Sequence, residues 1–490
     1  MDVPCSNSAV LGNALPPQKR PVLTAAAMRE AERNAAPTAE AMWQLMERAG
    51  QAASRAIAAV YPRADVLVLC GPGNNGGDGY VCAAALRALG WSVRVAAAAQ
   101  PLREPARTAA ARWAGPVEPL GEAQPAPLLV DALFGIGLDR PLPAGAAAAL
   151  ARLVPRAKRV VALDLPSGFA SDGSGWCDRA EPPSDWARAD LTIAFGALKP
   201  AHLLEPAASH MGRIVLADLG LATRSDAVSN GAPARPAIAT DANKYARGCC
   251  LVLSGPAGRG GAARLAAHAA ARAGAGLVAL AAPADAVAEH AGALDAPLVR
   301  TLDEPEALAG VAEGVRARAV VLGPGLGTGA DARRLAEAAL ALKLPLVLDA
   351  DMFTLFAGRA HSLRRDAPTV LTPHAGEFQR LFGDLPGAKL DQARSSAAAA
   401  GAVVVFKGAS TVIAAPDGRA ILNHVRAPQL ATAGSGDVLA GAVGGLLAQG
   451  WDTLDAAAAA VWLHAEAGRT ASAGLTADDL PERLPFGWAR

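Results

Sequence analysis

Short β-branched runs recur along this chain in two series, each run followed by a loop and an Ala-rich stretch of helical length. The first series is DVLVLC at 65–70, LLV at 128–130, RVVAL at 159–163, LTIAF at 191–195 and RIVLA at 213–217. The second is CLVL at 250–253, GLVAL at 276–280, AVVL at 319–322, LVL at 346–348, TVL at 369–371, AVVVF at 402–406 and STVIA at 410–414. Strand-length apolar runs alternating with helical stretches are the rhythm of a parallel sheet covered by helices. Residues 222–240 (ATRSDAVSNGAPARPAIAT) break the rhythm, lack periodicity and contain two prolines, as a linker would. The expected organisation is therefore an α/β domain at 1–221, a linker at 222–240 and a second, larger α/β domain at 241–490. A length of 490 residues favours two or three domains at about 150 residues each. Residues 24–58 read as two helices broken near Pro37, leading into the first sheet. No repeat of solenoid length occurs, and the two series share a class but not their motifs.

Composition narrows the ligands. With 46 Lys+Arg against 45 Asp+Glu the formal net charge is +1, so no global field draws the chain to nucleic acid or an anionic membrane. Any anionic ligand must be gripped locally. No run reaches the roughly 18 apolar residues of a membrane span, and the first residues lack a basic start followed by an apolar core. A cytoplasmic protein is expected. Cys5, Cys70, Cys82, Cys177, Cys249 and Cys250 are too scattered for a disulfide framework and read as small reduced core residues. Lysine occurs at only seven positions, so a Lys beside a glycine motif is slightly more informative here than usual.

In the first series, the run ending at Cys70 opens into GPGNNGGDG at 71–79 and then a helical stretch. Strand, glycine loop and helix bring free backbone N–H groups and a helix N-terminus to one point, which suits phosphate. The loop is neither a Walker A sequence nor a clean GxGxxG. Its glycines alone would fit a tight turn, but Asn74, Asn75 and Asp78 add oxygen ligands that a turn does not need. Two later strands end in DALFGIGLDR at 131–140 and DLPSG at 164–168, so Asp131, Asp164 and Ser167 can face the Asn75 loop across the crevice of an open parallel sheet. Each Asp alone would more simply be a helix N-cap; three polar groups at neighbouring strand ends argue for a cleft.

GPGNNGGDG, DALFGIGLDR, DLPSG and LMERAG at 45–50 resemble the NAD(P)H-hydrate epimerase family over about residues 22–221. The resemblance implies a Rossmann-like three-layer domain. It further implies that Asn74, Asn75, Gly76, Gly77 and Asp78, with Gly135, Ile136, Gly137, Leu138, Asp139, Arg140 and Pro141, hold the damaged dinucleotide. Asp164 would lie against the hydrated nicotinamide ring, and Asn75, Asp131 and Ser167 would ligate potassium through oxygen atoms. Inversion at C6 needs a group that exchanges a proton, and Asp164 is expected to be that acid/base, its pKa raised toward neutrality by burial. Lys199, in FGALKP at 195–200, reads as an exposed strand-end Lys or a further phosphate contact.

In the second series, LATAGSGDVLAG at 430–441 opens a Gly/Ala-rich helix. Its free N–H groups make an anion cradle, and Asp437 sits in the first turn, either as an ordinary dipole-favouring Asp or as a base beside a phosphoryl group. FKGASTVI at 406–413 offers Lys407 and backbone amides after a strand; TPHAGEF at 372–378 and GPGLG at 323–327 end two others. Together they describe a ribokinase-like α/β domain. TPHAGEF, KGAST and ATAGSGDVLAG resemble the ADP-dependent NAD(P)H-hydrate dehydratase family over about residues 241–485. That resemblance puts Ala262, Gly325 or Gly327, His374 and Asp437 on the hydrated dinucleotide. It puts Lys407, Gly408, Ala409, Ser410 and Thr411, with Gly436, on the adenine nucleotide, and implies magnesium on its phosphates. Met352 and Phe353 stand where the family pattern leads one to expect Ala-Leu, Asp295 to Arg300 lacks a Glu, and Asn243 stands where a His is commoner.

The two resemblances imply one bifunctional repair enzyme that takes NADHX, NADPHX and ADP, epimerises the R and S hydrates and dehydrates the S form. Asp164 and Asp437 are its expected catalytic residues, K+ and Mg2+ its ions, and a homo-oligomer its expected assembly, with no nucleic-acid or membrane partner. Two alternatives stand beside it: a vitamin-type small-molecule kinase with an accessory N-terminal dinucleotide-binding module, and an N-terminal half that only binds.

Overall fold

The computed structural model describes residues 19–488 except 174, 178–181, 184 and 236; Cys5 and the start of the chain lie outside the described residues. The chain divides into two compact units, Met1–Val228 and Ser229–Arg490, at a point inside the segment 222–240.

The first unit is built on seven parallel strands: β1 (Asp65–Cys70), β2 (Ser92–Ala97), β3 (Val117–Pro119), β4 (Leu128–Ala132), β5 (Arg159–Leu163), β6 (Leu191–Phe195) and β7 (Arg213–Ala217). Their order across the sheet is β3-β2-β1-β4-β5-β6-β7. β1 carries β2 on one side and β4 on the other, so strand order reverses there and a crevice opens beyond the carboxyl ends of β1 and β4. The glycine loop after β1 and the acidic ends of β4 and β5 meet at that crevice. The two helices before β1, Ala25–Ala35 and Ala39–Val60, start at Thr24 and Thr38, whose side chains accept the N–H of Ala27 and Ala41.

The second unit holds β9 (Cys249–Leu253), β10 (Leu277–Ala282), β11 (Leu298–Thr301), β12 (Ala317–Leu322), β13 (Leu346–Leu348), β14 (Thr369–Leu371), β15 (Val403–Phe406), β16 (Thr411–Ala414) and β17 (Ala420–Asn423). Their sheet order is β11-β10-β9-β12-β13-β14-β15-β16-β17, followed by the short β8 (Ala227–Ser229) where the chain passes between units. The run from β11 to β15 is parallel, and β15-β16-β17 are antiparallel.

Burial accounts for the continuous apolar runs. β4, β6 and β9 are buried along their whole length because helices cover both faces. The Ala and Gly excess lets those helices come close. On the helix Ser435–Ala448, a Cβ at Gly441 would lie 2.0 Å from the Ala266 carbonyl oxygen, and one at Gly445 would lie 2.4 Å from that of Ala270. Cys70, Cys82, Cys249 and Cys250 are buried free thiols, and Cys177 is half-buried. No helix of the described residues is long and apolar enough to cross a membrane.

Candidate active sites

In the first unit the crevice is a cavity of about 760 Å3. It gathers most of the motif residues: Asn74, Asn75 and Asp78, then Gly135, Ile136, Gly137, Leu138 and Arg140, then Asp164. Gly76 and Gly77 lie buried behind that wall, and Asp139 and Pro141 are not part of it. A Cβ on Gly135 would sit 2.8 Å from Asp164 Oδ2 and 3.3 Å from the Asn75 amide, so only glycine lets that loop pass between them.

Asp131 and Ser167 are bound to each other. The Ser167 hydroxyl donates to Asp131 Oδ1 (2.7 Å) and its backbone N–H to Oδ2 (2.8 Å), while the N–H of Leu133 donates to Oδ1 (3.1 Å). Asn75 differs: both polar atoms of its amide are buried with no partner. A buried amide left bare costs about 1–3 kcal/mol, so it calls for something absent from the protein itself. A carboxamide oxygen, a carboxylate and a hydroxyl are the donor set a hard, weakly held cation takes.

Asp164 corrects the sequence-based expectation. It sits at φ +65°, a conformation few non-glycine residues adopt, at the turn that follows β5. Lys199, expected to be exposed, is only 1% exposed; its Nζ donates to Asp164 Oδ1 (2.6 Å) and to the Phe195 carbonyl (2.8 Å). The N–H of Ile136 donates to Asp164 Oδ2 (3.2 Å). Burial pushes the Asp164 carboxyl up, but the Lys199 ammonium and these hydrogen bonds hold it below the ordinary carboxylate value. The carboxyl is thus ionised, not poised near neutrality. His202 fixes the turn: its Nδ1 accepts the Lys199 N–H (2.9 Å), which leaves Nε2 to donate to the Asp164 carbonyl (2.7 Å). Burial lowers its pKa to about 4, so the ring is neutral.

The proton-rich groups of the cavity lie elsewhere. Burial, with the charges of Glu32 and Asp164, pushes Asp78 well above the usual range; burial, then the charge of Asp164, raises Glu32. Glu32 and Arg29, one turn apart on the helix Ala25–Ala35, also line the cavity, and Arg29 Nη2 donates to the Ile136 carbonyl (3.1 Å). No motif marked either residue.

In the second unit, Gly434 at φ +87° turns the chain into the helix Ser435–Ala448 and places Asp437 in its first turn. Burial first, then the charge of Asp349, pushes Asp437 up to about 7 against the pull of Lys407. Lys407 Nζ bonds Asp349 Oδ1 (3.0 Å) and lies 3.9 Å from Glu377; a Cβ on Gly436 would be 3.1 Å from that Nζ. Lys407, Gly436 and Asp437 therefore share one locale. Behind it, the Ser435 hydroxyl is 3.0 Å from His464 Nε2. His374 caps the helix Ala375–Phe382, its Nδ1 accepting the N–H groups of Gly376 and Glu377 while the Glu377 carboxylate accepts that of His374. Its side chain is still 57% exposed and presentable to a ligand. Gly325 and Gly327 adopt positive φ; a Cβ on Gly325 would touch Ala262, and the Gly327 N–H donates to Asp351 (2.8 Å). The loop Gly408, Ala409, Ser410 that leads to Thr411 is pinned by Lys389, whose Nζ donates to the carbonyls of Lys407 and Ser410. The scarcity of lysine was the only signal that could have drawn attention to Lys389. Met352 and Phe353, the departures from pattern, are fully buried core residues.

Residues 250–485 match the family model described as NAD(P)H-hydrate dehydratase, and residues 43–201 match the model described as YjeF-related protein N-terminus. A relative from Gloeobacter violaceus named bifunctional NAD(P)H-hydrate repair enzyme Nnr is 39% identical over 469 residues, covering 86% of this chain and 88% of its own. One of the same name from Synechocystis is 34% identical and covers 96% and 95%. The chain belongs to the bifunctional NAD(P)H-hydrate repair enzymes. A third repair enzyme of this name, from Pyrobaculum aerophilum, is 35% identical over 94% of the chain and 97% of its own length. A solved NAD(P)H-hydrate dehydratase from Bacillus subtilis, described as ADP/ATP-dependent and co-crystallised with ATP and Mg2+, is 31% identical over 52% of this chain and 94% of its own, with a TM-score of 0.46. Membership of the repair enzymes displaces both alternatives, the vitamin-type kinase and the merely binding N-terminal half.

Proposed function

We propose that the first unit interconverts the R and S hydrates of NADH and NADPH and that the second dehydrates the S hydrate, converting ADP to AMP and phosphate. The observation that carries this reading is the pairing of an ionised Asp164 in the first cavity with an Asp437 near neutrality at the second helix terminus. In the dehydratase unit, Asp437 takes the proton of the C6 hydroxyl as that oxygen bonds to the terminal phosphorus of ADP and the bond to AMP breaks. The N–H groups at the start of the helix Ser435–Ala448 and Lys407 stabilise the phosphoryl charge. Phosphate then leaves with the C6–O electron pair, helped by the N1 lone pair, and loss of the C5 proton restores the dihydronicotinamide. Hydroxide is a poor leaving group and phosphate a good one, so the nucleotide drives the elimination. The remaining ligand assignments follow the motifs: residues 74–78 and 135–141 with Asp164 on the dinucleotide, Ala262, Gly325 or Gly327, His374 and Asp437 on the S hydrate, and Lys407 to Thr411 with Gly436 on ADP.

Potassium suits Asn75, Asp131 and Ser167, where it would satisfy the bare Asn75 oxygen and fix the Gly135 loop. Magnesium would come in on the nucleotide phosphates, since the described residues contain no group of three or more His, Cys, Asp or Glu arranged to hold a metal. A cytoplasmic homo-oligomer completes the proposal; sedimentation of the purified protein tests the assembly. The decisive experiment mixes the intact protein with both hydrates and ADP and follows the absorbance of the reduced nicotinamide. Full recovery requires both activities, recovery of half only the second, and none overturns the reading.

A further inference from the structure

Three carboxyl groups, those of Glu32, Asp78 and Asp164, line the cavity of the first unit, together with one buried ammonium. That ammonium, Lys199, is committed to Asp164 at 2.6 Å. Among the described residues neither Asp78 nor Glu32 forms an ion pair or a side-chain hydrogen bond, and Arg29 spends its guanidinium on the Ile136 carbonyl. Burial penalises ionising all three carboxyls together, and the one ammonium is taken by Asp164, so charge settles on Asp164 and the proton is held most firmly by Asp78, beside the charge of Glu32. Asp78 stands in the second turn of the helix after β1 and Asp164 in the turn after β5, and both line the one cavity of about 760 Å3, which has room for a six-membered ring.

We propose that the hydrated ring is opened and reclosed between two carboxyls of opposite protonation, Asp164 as base and Asp78 as acid, with Glu32 as a positioning residue facing Asp78. The proposal rests on the epimerase reading of this unit. The hydrate is a hemiaminal at C6, so its stereochemistry is lost when the C6–N1 bond breaks. Asp164 removes the hydroxyl proton and the oxygen becomes an aldehyde carbonyl. The C6–N1 electron pair passes to N1, conjugated with the carboxamide, and Asp78 gives N1 its proton. Rotation about C5–C6 presents the other face. N1 then returns its proton to Asp78 as it attacks C6, and the oxygen recovers a proton from Asp164. Nothing is oxidised or reduced and no second reactant is consumed. Glu32 acts through Asp78: its negative charge disfavours a second one beside it and keeps the proton in place.

Other charges face Asp78 too. Lys199 opposes the effect of Glu32 and Asp164 adds to it; from its own helix comes the Cys82 thiol, itself pushed up by burial and neutral. Arg29, Arg103 and Arg140 line other parts of the cavity wall. Removing Glu32 alone leaves all of these in place, which makes it the clean variant.

The test uses the full-length protein and one pure hydrate epimer without ADP, with the epimer ratio read by chromatography above the enzyme-free rate. Activity should fall at alkaline pH as Asp78 loses its proton. Glu32→Gln should move that alkaline limb down by about one pH unit, a change that a merely structural role would not produce. Asp78→Asn should lower kcat roughly 100-fold or more with little change in KM. A 13C titration of the Asp78 carboxyl in the wild-type protein, which needs neither variant to fold, should find it protonated at neutral pH. An unmoved limb in E32Q, an ionised Asp78 at neutral pH or an undiminished D78N overturns the proposal. If D164N also keeps the wild-type exchange rate, the epimerase reading of the unit fails; if D164N alone is inactive, only this inference does.

Discussion

Lys199 and Asp164 form a fully buried ion pair, and at that scale the cost of breaking it is calculable. Removing one partner strands a charge in the interior, which costs about 3–5 kcal/mol. Asp164 has its folded pKa lowered, so its pairing stabilises the fold above the unfolded value of about 3.9 and the contribution is lost as pH falls through the folded value. Lys199→Met should therefore lower the unfolding free energy by about 3–5 kcal/mol at neutral pH, and the deficit should shrink on acidification as Asp164 protonates. Denaturant titrations at several pH values check this; an unchanged midpoint at neutral pH would mean that the pair is not formed. Asp437 gives the opposite sign. Its pKa is raised to about 7, and a base works only when unprotonated, so dehydratase kcat/KM should climb through pH 7 and level off above it. Asp437→Ala should abolish the rise together with the activity. These charge states were closed to sequence reading because each depends on a partner far along the chain. Asp164 was marked by its strand end, yet the residue that decides its ionisation lies 35 positions later, in a turn where an exposed Lys was the simpler expectation. Glu32 sits in an unremarkable helix and belongs to the site only because that helix packs beside the crevice.

Most strands were legible where burial is nearly complete on both faces, while β7 was read from its RIVLA run although it is half-buried along most of its length. β1, β4, β5, β6, β9, β12 and β15 read as apolar runs because helices cover both sides of the sheet. The strands that sequence reading passed over are β2, β3, β8, β11 and β17. β2 and β11 keep part-exposed residues such as Arg94 and Arg300, β3 and β8 have three residues each, and β17 ends at Asn423 in a hairpin. Half-exposed residues in β2 and β11, Glu and Pro in β3 and Ser in β8 interrupt the continuous apolar run that made the equally short β13 (LVL) and β14 (TVL) readable, and β17 is fully buried but ends on the polar Asn423. Helix contact gives a prediction of its own. Gly441 and Gly445 let the helix Ser435–Ala448 rest on the backbone of Gly261–Arg272, and any Cβ at Gly441 meets the Ala266 carbonyl. Gly441→Val should destabilise the second unit by about 1–3 kcal/mol or more, the cost of overpacking, and should lower dehydratase activity because the same helix carries Asp437 at its start. Thermal unfolding with an activity assay on the surviving fraction separates the two effects.

At the scale of the whole molecule, the residues proposed for each chemistry fall within one unit. Glu32, Asn75, Asp78, Asp131, Asp164, Ser167 and Lys199 all precede the division at Val228, and Ala262, His374, Lys407 and Asp437 all follow it. What links the two activities is the S hydrate, which one unit makes and the other consumes, so the link survives if the two active sites are on different molecules. With both hydrates and ADP present, full-length Asp164→Asn should recover half the reduced dinucleotide quickly and the rest only at the spontaneous epimerisation rate. Asp437→Ala should recover none while still interconverting the epimers. An equimolar mixture of the two variants should restore rapid, full recovery, because the S hydrate released by one diffuses to the other. If the mixture stalls at half, the intermediate is not freely exchanged, and the two units act on a hydrate that never leaves the molecule that made it.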